Sequence, residues 1–163
     1  MSTLLVRVAV ATDAEAIGRI QHEAVWNTAL NHHPQDVLEA WAVTLTDESY
    51  EQVRREIADV EMVVLVAESV SRIAGFGMIV PADEELRAVY VDAVFGRQGV
   101  GTAILRRLEE TARERGVARL NLDSSLTAEA FYGKHGYAVV ERTTHRFRSG
   151  HEMASVRMTK RLR

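Results

Sequence analysis

The segment Gly96-Arg97-Gln98-Gly99-Val100-Gly101 constrains this chain more than any other. It separates a stretch of strand-like alternation, Glu85 to Val91, from one with Ile104, Leu105, Leu108 and Ala112 at helical spacing. A glycine-rich turn from strand into helix aims unpaired N–H groups and the positive end of the helix dipole at whatever lies beyond it, and a phosphate suits that place. Gly99 and Gly101 put no side chain in the way, and Arg97 adds a charge-assisted donor. The same glycines would also serve a tight turn that needs them for its dihedrals. Two glycines and an arginine ahead of a well-formed helix favour anion binding.

A dinucleotide site is the first rival, because strand, glycine loop, helix and a second strand ending in Asp123 follow at about the right spacing. The glycines, however, run G-x-x-G-x-G rather than G-x-G-x-x-G, and only 62 residues follow Gly101. No second mononucleotide-binding half can be built from them. A P-loop is excluded as well, since no Gly-Lys-Ser/Thr closes the motif.

Upstream, Leu4 to Val10 reads as a strand, and Thr12-Asp13-Ala14-Glu15 as a capping box before Ile17, Ile20, Ala24 and Val25. Pro34 suits the first turn of a helix carrying Val37, Leu38, Trp41 and Leu45, and Thr46-Asp47 opens a polar helix through Ile57. Glu61 to Glu68 is almost continuously apolar, as in a strand buried on both faces, and Ser69 to Arg72 turns it back into Ile73 to Val80. After the Pro81–Glu84 loop, the fourth strand would carry Leu86, Ala88 and Tyr90 on one face. Its other face would hold Glu85, Arg87, Val89 and Val91. The helix after the glycine loop ends on Arg113, Arg115 and Gly116. A short strand (Arg119 to Asp123), a short helix (Ala128 to His135) and two strands joined through Ser149-Gly150 complete the chain. The order β-α-α-β-β-β-α-β-α-β-β describes an α/β fold: a mixed (α+β) sheet with helices on both faces, in one domain over residues 1–163.

Composition narrows the function classes. With no cysteine among 163 residues, disulfides, thiolate nucleophiles and cysteine-ligated metals are excluded. No apolar run approaches the length of a membrane span and no signal peptide is apparent, so a soluble, cytoplasmic protein without membrane contact is expected. The net charge of −3 is uneven: from Arg142 to Arg163 seven Lys/Arg face one acid, Glu152, while the rest carries −9. Only Phe147 is interleaved with those bases, too few aromatics for a stacking platform, and nucleic acid is set aside as a partner.

Taken together these residues resemble the GNAT superfamily of acyl-CoA-dependent N-acetyltransferases. The family's Q/R-x-x-G-x-G/A signature has its glycines at Gly99 and Gly101. Tyr90-Val91, Ala128-Glu129-Ala130-Phe131-Tyr132 and Gly136-Tyr137 are of its type, as are Arg7 with Thr12-Asp13 and Ile73-Ala74-Gly75-Phe76. The likeness is weakest from His22 to Ile57. The signature's Gln/Arg falls on Gly96, with Arg97 one place later. Ala93, Ser125 and Tyr137 stand where the family often has proline, asparagine and phenylalanine.

The resemblance implies acetyl-CoA as co-substrate, no metal, and direct acetyl transfer to a primary amine of a small molecule or protein. It puts Val89 and Val91 against the coenzyme, the backbone around Val91 receiving the pantetheine arm and turning an N–H to the thioester carbonyl. The pyrophosphate would rest on the amides of Arg97, Gln98, Gly99, Val100, Gly101 and Thr102, and Ser125, Ala128 and Phe131 complete the coenzyme site. Tyr132 takes the general-acid position, though a buried tyrosine can equally be core. Glu85 takes that of a strand glutamate acting through water, though Glu84-Glu85 also reads as a charged start to a strand. His22, Glu23, His32 and His33 fall in the acceptor wall, where a histidine can act near pH 7 or simply be solvated. The three histidines lack a carboxylate at metal-ligand spacing. A homodimer is the family's habit. The alternative is a non-catalytic acyl-CoA-binding module of the same fold, which the change at Gly96 would allow.

Overall fold

The structure, a computed structural model, describes residues 3–29 and 33–162. Its seven strands are β1 (Leu4–Val8), β2 (Val63–Ser69), β3 (Arg72–Val80), β4 (Glu85–Val91), β5 (Arg119–Ser125), β6 (Ala138–Arg146) and β7 (Glu152–Arg161). They form one sheet in the order β1-β2-β3-β4-β5-β7-β6. All neighbours are antiparallel except β4 and β5. The helices are α1 (Ala14–Ala29), α2 (Gln35–Trp41), α3 (Asp47–Ala58), α4 (Val100–Glu114) and α5 (Glu129–Lys134). Three helices thus separate β1 from β2, matching the three helical segments of the sequence; the order β-α-α-β-β-β-α-β-α-β-β is one helix short. Ala42 is extended (ψ 135°), which ends α2 after seven residues and keeps it apart from α3.

The uninterrupted apolar run of β2 divides between two cores. Val63, Leu65 and Ala67 pack under α4 with Ile104, Leu105, Leu108, Leu120 and Met158. Val64 and Val66 pack on the other face with Ile17, Ile20, Val53, Phe76 and Met78. A strand covered on both faces needs apolar residues at every position, which is why periodicity is absent there. Helix α4 comes down close on β3 because Gly77 has no side chain: a Cβ there would lie 2.6 Å from Ile104 Cγ2 and 2.7 Å from Leu108 Cδ1.

The start of α1 departs from expectation. Residues Ala11–Asp13 form a 3-10 turn, and Asp13, not Thr12, supplies the cap, accepting the Val10 amide at 2.8 Å. Asp13 also accepts from both terminal guanidinium nitrogens of Arg7, at 2.8 and 3.1 Å, while Arg7 Nε donates to Glu68 at 2.9 Å. Burial by itself pushes the Asp13 carboxyl up, but the bonds from Arg7 and Val10 outweigh it and hold the group below the usual range. A depressed carboxylate contributes stability above its unfolded pKa, about 3.9, and loses it as pH falls below. Asp13→Asn should therefore cost about 1.5–3 kcal/mol near pH 7 by denaturant unfolding. The gap to the native protein should narrow below about pH 4. A gap that stays constant down to pH 2 would remove the ion pair as its source.

The fourth strand differs from simple alternation. Ile79 pairs with Leu86 but Met78 with Ala88, so Arg87 is an extra residue in β4. This bulge turns Leu86 to the α4 side and Ala88 and Tyr90 to the α1 side, so the three do not share a face. Strand β4 then meets β5 at one register position, Glu85 opposite Asn121, with Asn121 N donating to Glu84 O at 2.8 Å. Beyond it β4 follows β3 as far as Val91 while β5 follows β7 as far as Ser125. The sheet is split between the two parallel strands.

Candidate active site

The split opens a cleft of about 680 Å³. One side is β4 from Glu85 to Val91, the other β5 from Asn121 to Ser125 with Thr127, Ala128 and Tyr132 after it. Of the residues singled out in the sequence, Glu85, Val89, Val91, Ser125, Ala128 and Tyr132 line this cleft. Ser125 Oγ lies 3.0 Å from Thr127 Oγ1, an arrangement that steadies the turn between β5 and α5. Phe131 is not a lining residue; its ring packs edge-on against Tyr132 and His135, with centroids 5.2 and 4.8 Å apart.

The glycine loop is not among the lining residues; it adjoins the cleft where Gly101 meets the end of β4 at Val91. Its first helical backbone bond is Ala103 N to Gly99 O at 3.0 Å, so the amides of Val100, Gly101 and Thr102 precede the ladder, and no side chain caps them. The two glycines serve different ends. Gly99 has φ +79° with open space around it, so the turn needs its dihedral. A Cβ on Gly101 would lie 3.3 Å from Phe131 and 3.4 Å from Val91 Cγ2, so Gly101 lets α4, α5 and the end of β4 converge. Arg97 also has a left-handed backbone, φ +60°, and like Gln98 is exposed. The Thr102 hydroxyl lies 3.1 Å from His135 Nε2. Burial and the neighbouring charges of Lys134 and Arg106 lower the His135 pKa, favouring a neutral ring there.

Tyr132 is almost fully buried, and burial first, then the nearby Tyr90, pushes its phenol well above the usual range. Glu85 lies at the opposite end of the cleft with Arg87 Nε 3.3 Å from its carboxylate. It is six residue steps along the strand from Val91, about 20 Å at 3.3 Å per residue. The acceptor-wall candidates stand outside the lining. His22 Nδ1 lies 2.7 Å from the Val43 carbonyl, Glu23 pairs with Arg19 at 3.5 Å, and His33 is edge-on to Trp41. His32 lies outside the described residues. Among the described residues no group of three or more His, Asp or Glu could hold a metal, and no helix is long and apolar enough to cross a membrane.

Sequence reasoning missed several contributors. Asp92, buried just past β4, accepts the Val94 amide at 3.0 Å and has Arg19 and Arg72 each at 3.4 Å, which fixes how the chain leaves the strand. Trp41, His145, Phe147 and Met153 line the cleft but come from α2 and from the β6–β7 hairpin. Trp41 Nε1 donates to the Tyr90 hydroxyl at 3.1 Å, a contact between residues 49 apart that no local pattern announces.

Residues 28–162 match the family model for the acetyltransferase (GNAT) domain. An uncharacterised N-acetyltransferase of Escherichia coli K12, YafP, is 26% identical over 142 residues, 87% of this chain and 86% of the relative. Among solved structures, a GCN5-related N-acetyltransferase of Rhodopseudomonas palustris superposes with a TM-score of 0.87 at 26% identity, covering 99% of this chain and 97% of that one. The PaiA N-acetyltransferase of Thermoplasma acidophilum, solved in complex with coenzyme A, gives 0.80 at 20% identity, covering 98% and 99%. Domain-length agreement in both sequence and fold makes this chain a member of the GNAT acetyltransferase family.

Proposed function

We propose that the protein transfers the acetyl group of acetyl-CoA directly to a primary amine. The observation that carries this reading is the split between β4 and β5, with an uncapped helix N-terminus adjoining it and the Tyr132 side chain on its wall. The unpaired amides from Arg97 to Thr102 suit a pyrophosphate, and the diverging β4 backbone at Val89 and Val91 has N–H groups no longer claimed by β5. Ser125 and Ala128 stand across from them to take the pantetheine arm, with Phe131 closing the packing behind Gly101. The coenzyme brings an acetyl thioester; the chain must hold it beside the amine, polarise its carbonyl and move two protons.

Tyr132 gives its phenolic proton to the departing thiolate. Burial weakens the phenol as an acid, and the same dry surroundings strengthen the thiolate as the base it must protonate. The amine must enter as the free base. At four to six residues along β4, about 13–20 Å from Val89 and Val91, the Glu85 carboxylate takes the amine proton only through intervening water.

The test is thermal unfolding with acetyl-CoA, followed by thiol release with an amine panel. Acetyl-CoA at about a hundred times its Kd should add about 2.7 kcal/mol. That is a rise in Tm of about 5–10 °C for a domain of this length. A rise followed by thiol release supports the transferase. A rise without release from any amine supports the non-catalytic acyl-CoA-binding module, which the change at Gly96 would allow. No rise overturns both.

A further inference from the structure

The acceptor side of the cleft has two aromatic walls built by parts of the chain far apart in sequence. The first is Trp41 on Tyr90, joined by the indole N–H bond to the phenol, with Phe76 stacked behind Tyr90 at 5.6 Å and 28°. Trp41 is fixed from its own backbone. The buried Gln21 side chain on α1 donates to the Trp41 carbonyl at 3.1 Å and accepts the Val43 amide at 2.6 Å, so one carboxamide clamps the end of α2. The second wall is Phe147 against His145, with ring centroids 4.6 Å apart. The walls are tied at the mouth, where His151 in the hairpin turn lies 3.4 Å from Asp36 on α2.

The charged residues of the cleft do not form an answering acidic patch. Arg87 lies 3.3 Å from Glu85, and Arg157 lies 3.2 Å from Asp123 and 3.1 Å from Glu141. The first pair sits at the start of β4, with Asp83 just before it, while Asp123 lies two residues before the end of β5, opposite Arg157 of β7. A polycationic acceptor would therefore meet carboxylates already matched by arginines, and it would meet aromatic faces near Tyr132. We infer that the acceptor is a primary amine borne on an aromatic or flat apolar group, held between the Trp41–Tyr90 wall and Phe147. The inference rests on the transferase reading above and names its substrate class.

The experiment compares 2-phenylethylamine, n-hexylamine, spermidine and an alanine-terminated peptide by thiol release from acetyl-CoA, using the full chain. The kcat/KM for 2-phenylethylamine should exceed that for n-hexylamine by about five- to tenfold, the range of one or two aromatic contacts. Trp41→Leu should raise the KM for 2-phenylethylamine by about tenfold while that for n-hexylamine moves less than twofold. The acetyl-CoA-dependent rise in Tm should survive in the variant. Phe147→Leu, at the hairpin end and outside the hydrophobic cores, should act in the same direction and keeps the test intact if the α2 variant fails to fold. Preference for spermidine or the peptide overturns the acceptor class alone, as does an equal loss for both monoamines in either variant. No turnover with any amine, in protein that does respond to acetyl-CoA, overturns the transferase reading and this class with it.

Discussion

Tyr132→Phe should lower the rate of acetyl transfer by about 10²- to 10⁴-fold, the usual worth of a positioned general acid. The acetyl-CoA-dependent rise in Tm should remain. The substitution isolates the hydroxyl, because the ring is held by packing that phenylalanine keeps. Its neighbours Phe131 and Tyr137 both meet it edge-on, with centroids 5.2 and 5.7 Å apart. Thiol release in steady state measures the first effect and thermal unfolding with acetyl-CoA the second. Unchanged turnover would take Tyr132 out of the proton path. Loss of the thermal response together with turnover would make it a packing residue of the coenzyme cleft.

The second large effect lies beneath α4, away from the cleft. Glu109 is only 4% exposed, and both its carboxylate oxygens accept hydrogen bonds from Lys160 Nζ, at 2.7 and 2.9 Å. The same ammonium lies 5.6 Å from the centroid of the Tyr137 ring. Lys160→Met would leave a buried carboxylate with its cation removed and should cost about 3–5 kcal/mol. At about 2–4 °C per kcal/mol this is a fall in Tm of roughly 6–20 °C. The double variant Glu109→Leu/Lys160→Met should recover more than half of that loss, since a well-packed apolar pair matches or exceeds a buried ion pair. A double variant no more stable than Lys160→Met would assign the loss to packing of the lysine stem instead.

Much of the fold could be read locally. Glycines and the helical stripe from Ile104 to Ala112 announced α4 and its uncapped start, and the apolar run of β2 announced a strand covered on both sides. Thr46 caps α3 through the Ser49 amide at 3.2 Å, as its sequence position suggested. Most boundaries moved by a residue or two, and the end of α2 by four, from Leu45 to Trp41, because helix and strand ends are decided by neighbours. The end of β5, expected at Asp123, runs on to Ser125 because β7 pairs with it that far.

The sequence by itself determined the strand order along the chain, the helix that follows the Gly96–Gly101 turn and the open amides at its start, because these depend on propensity and on contacts within one strand–turn–helix unit. Only the tertiary structure decided the rest. The bulge at Arg87 follows from pairing with β3, and it reverses which face Leu86 presents. The parting of β4 and β5 is a matter of tertiary pairing: beyond Glu85 and Asn121 each strand stays with its outer neighbour, β4 with β3 and β5 with β7. The acceptor walls bring Trp41 onto Tyr90 and the hairpin's His151 to Asp36, across 49 and 115 residues. Contacts at such separations leave no periodic mark on the chain, since what fixes them is the geometry of the packed sheet and not the preference of any segment.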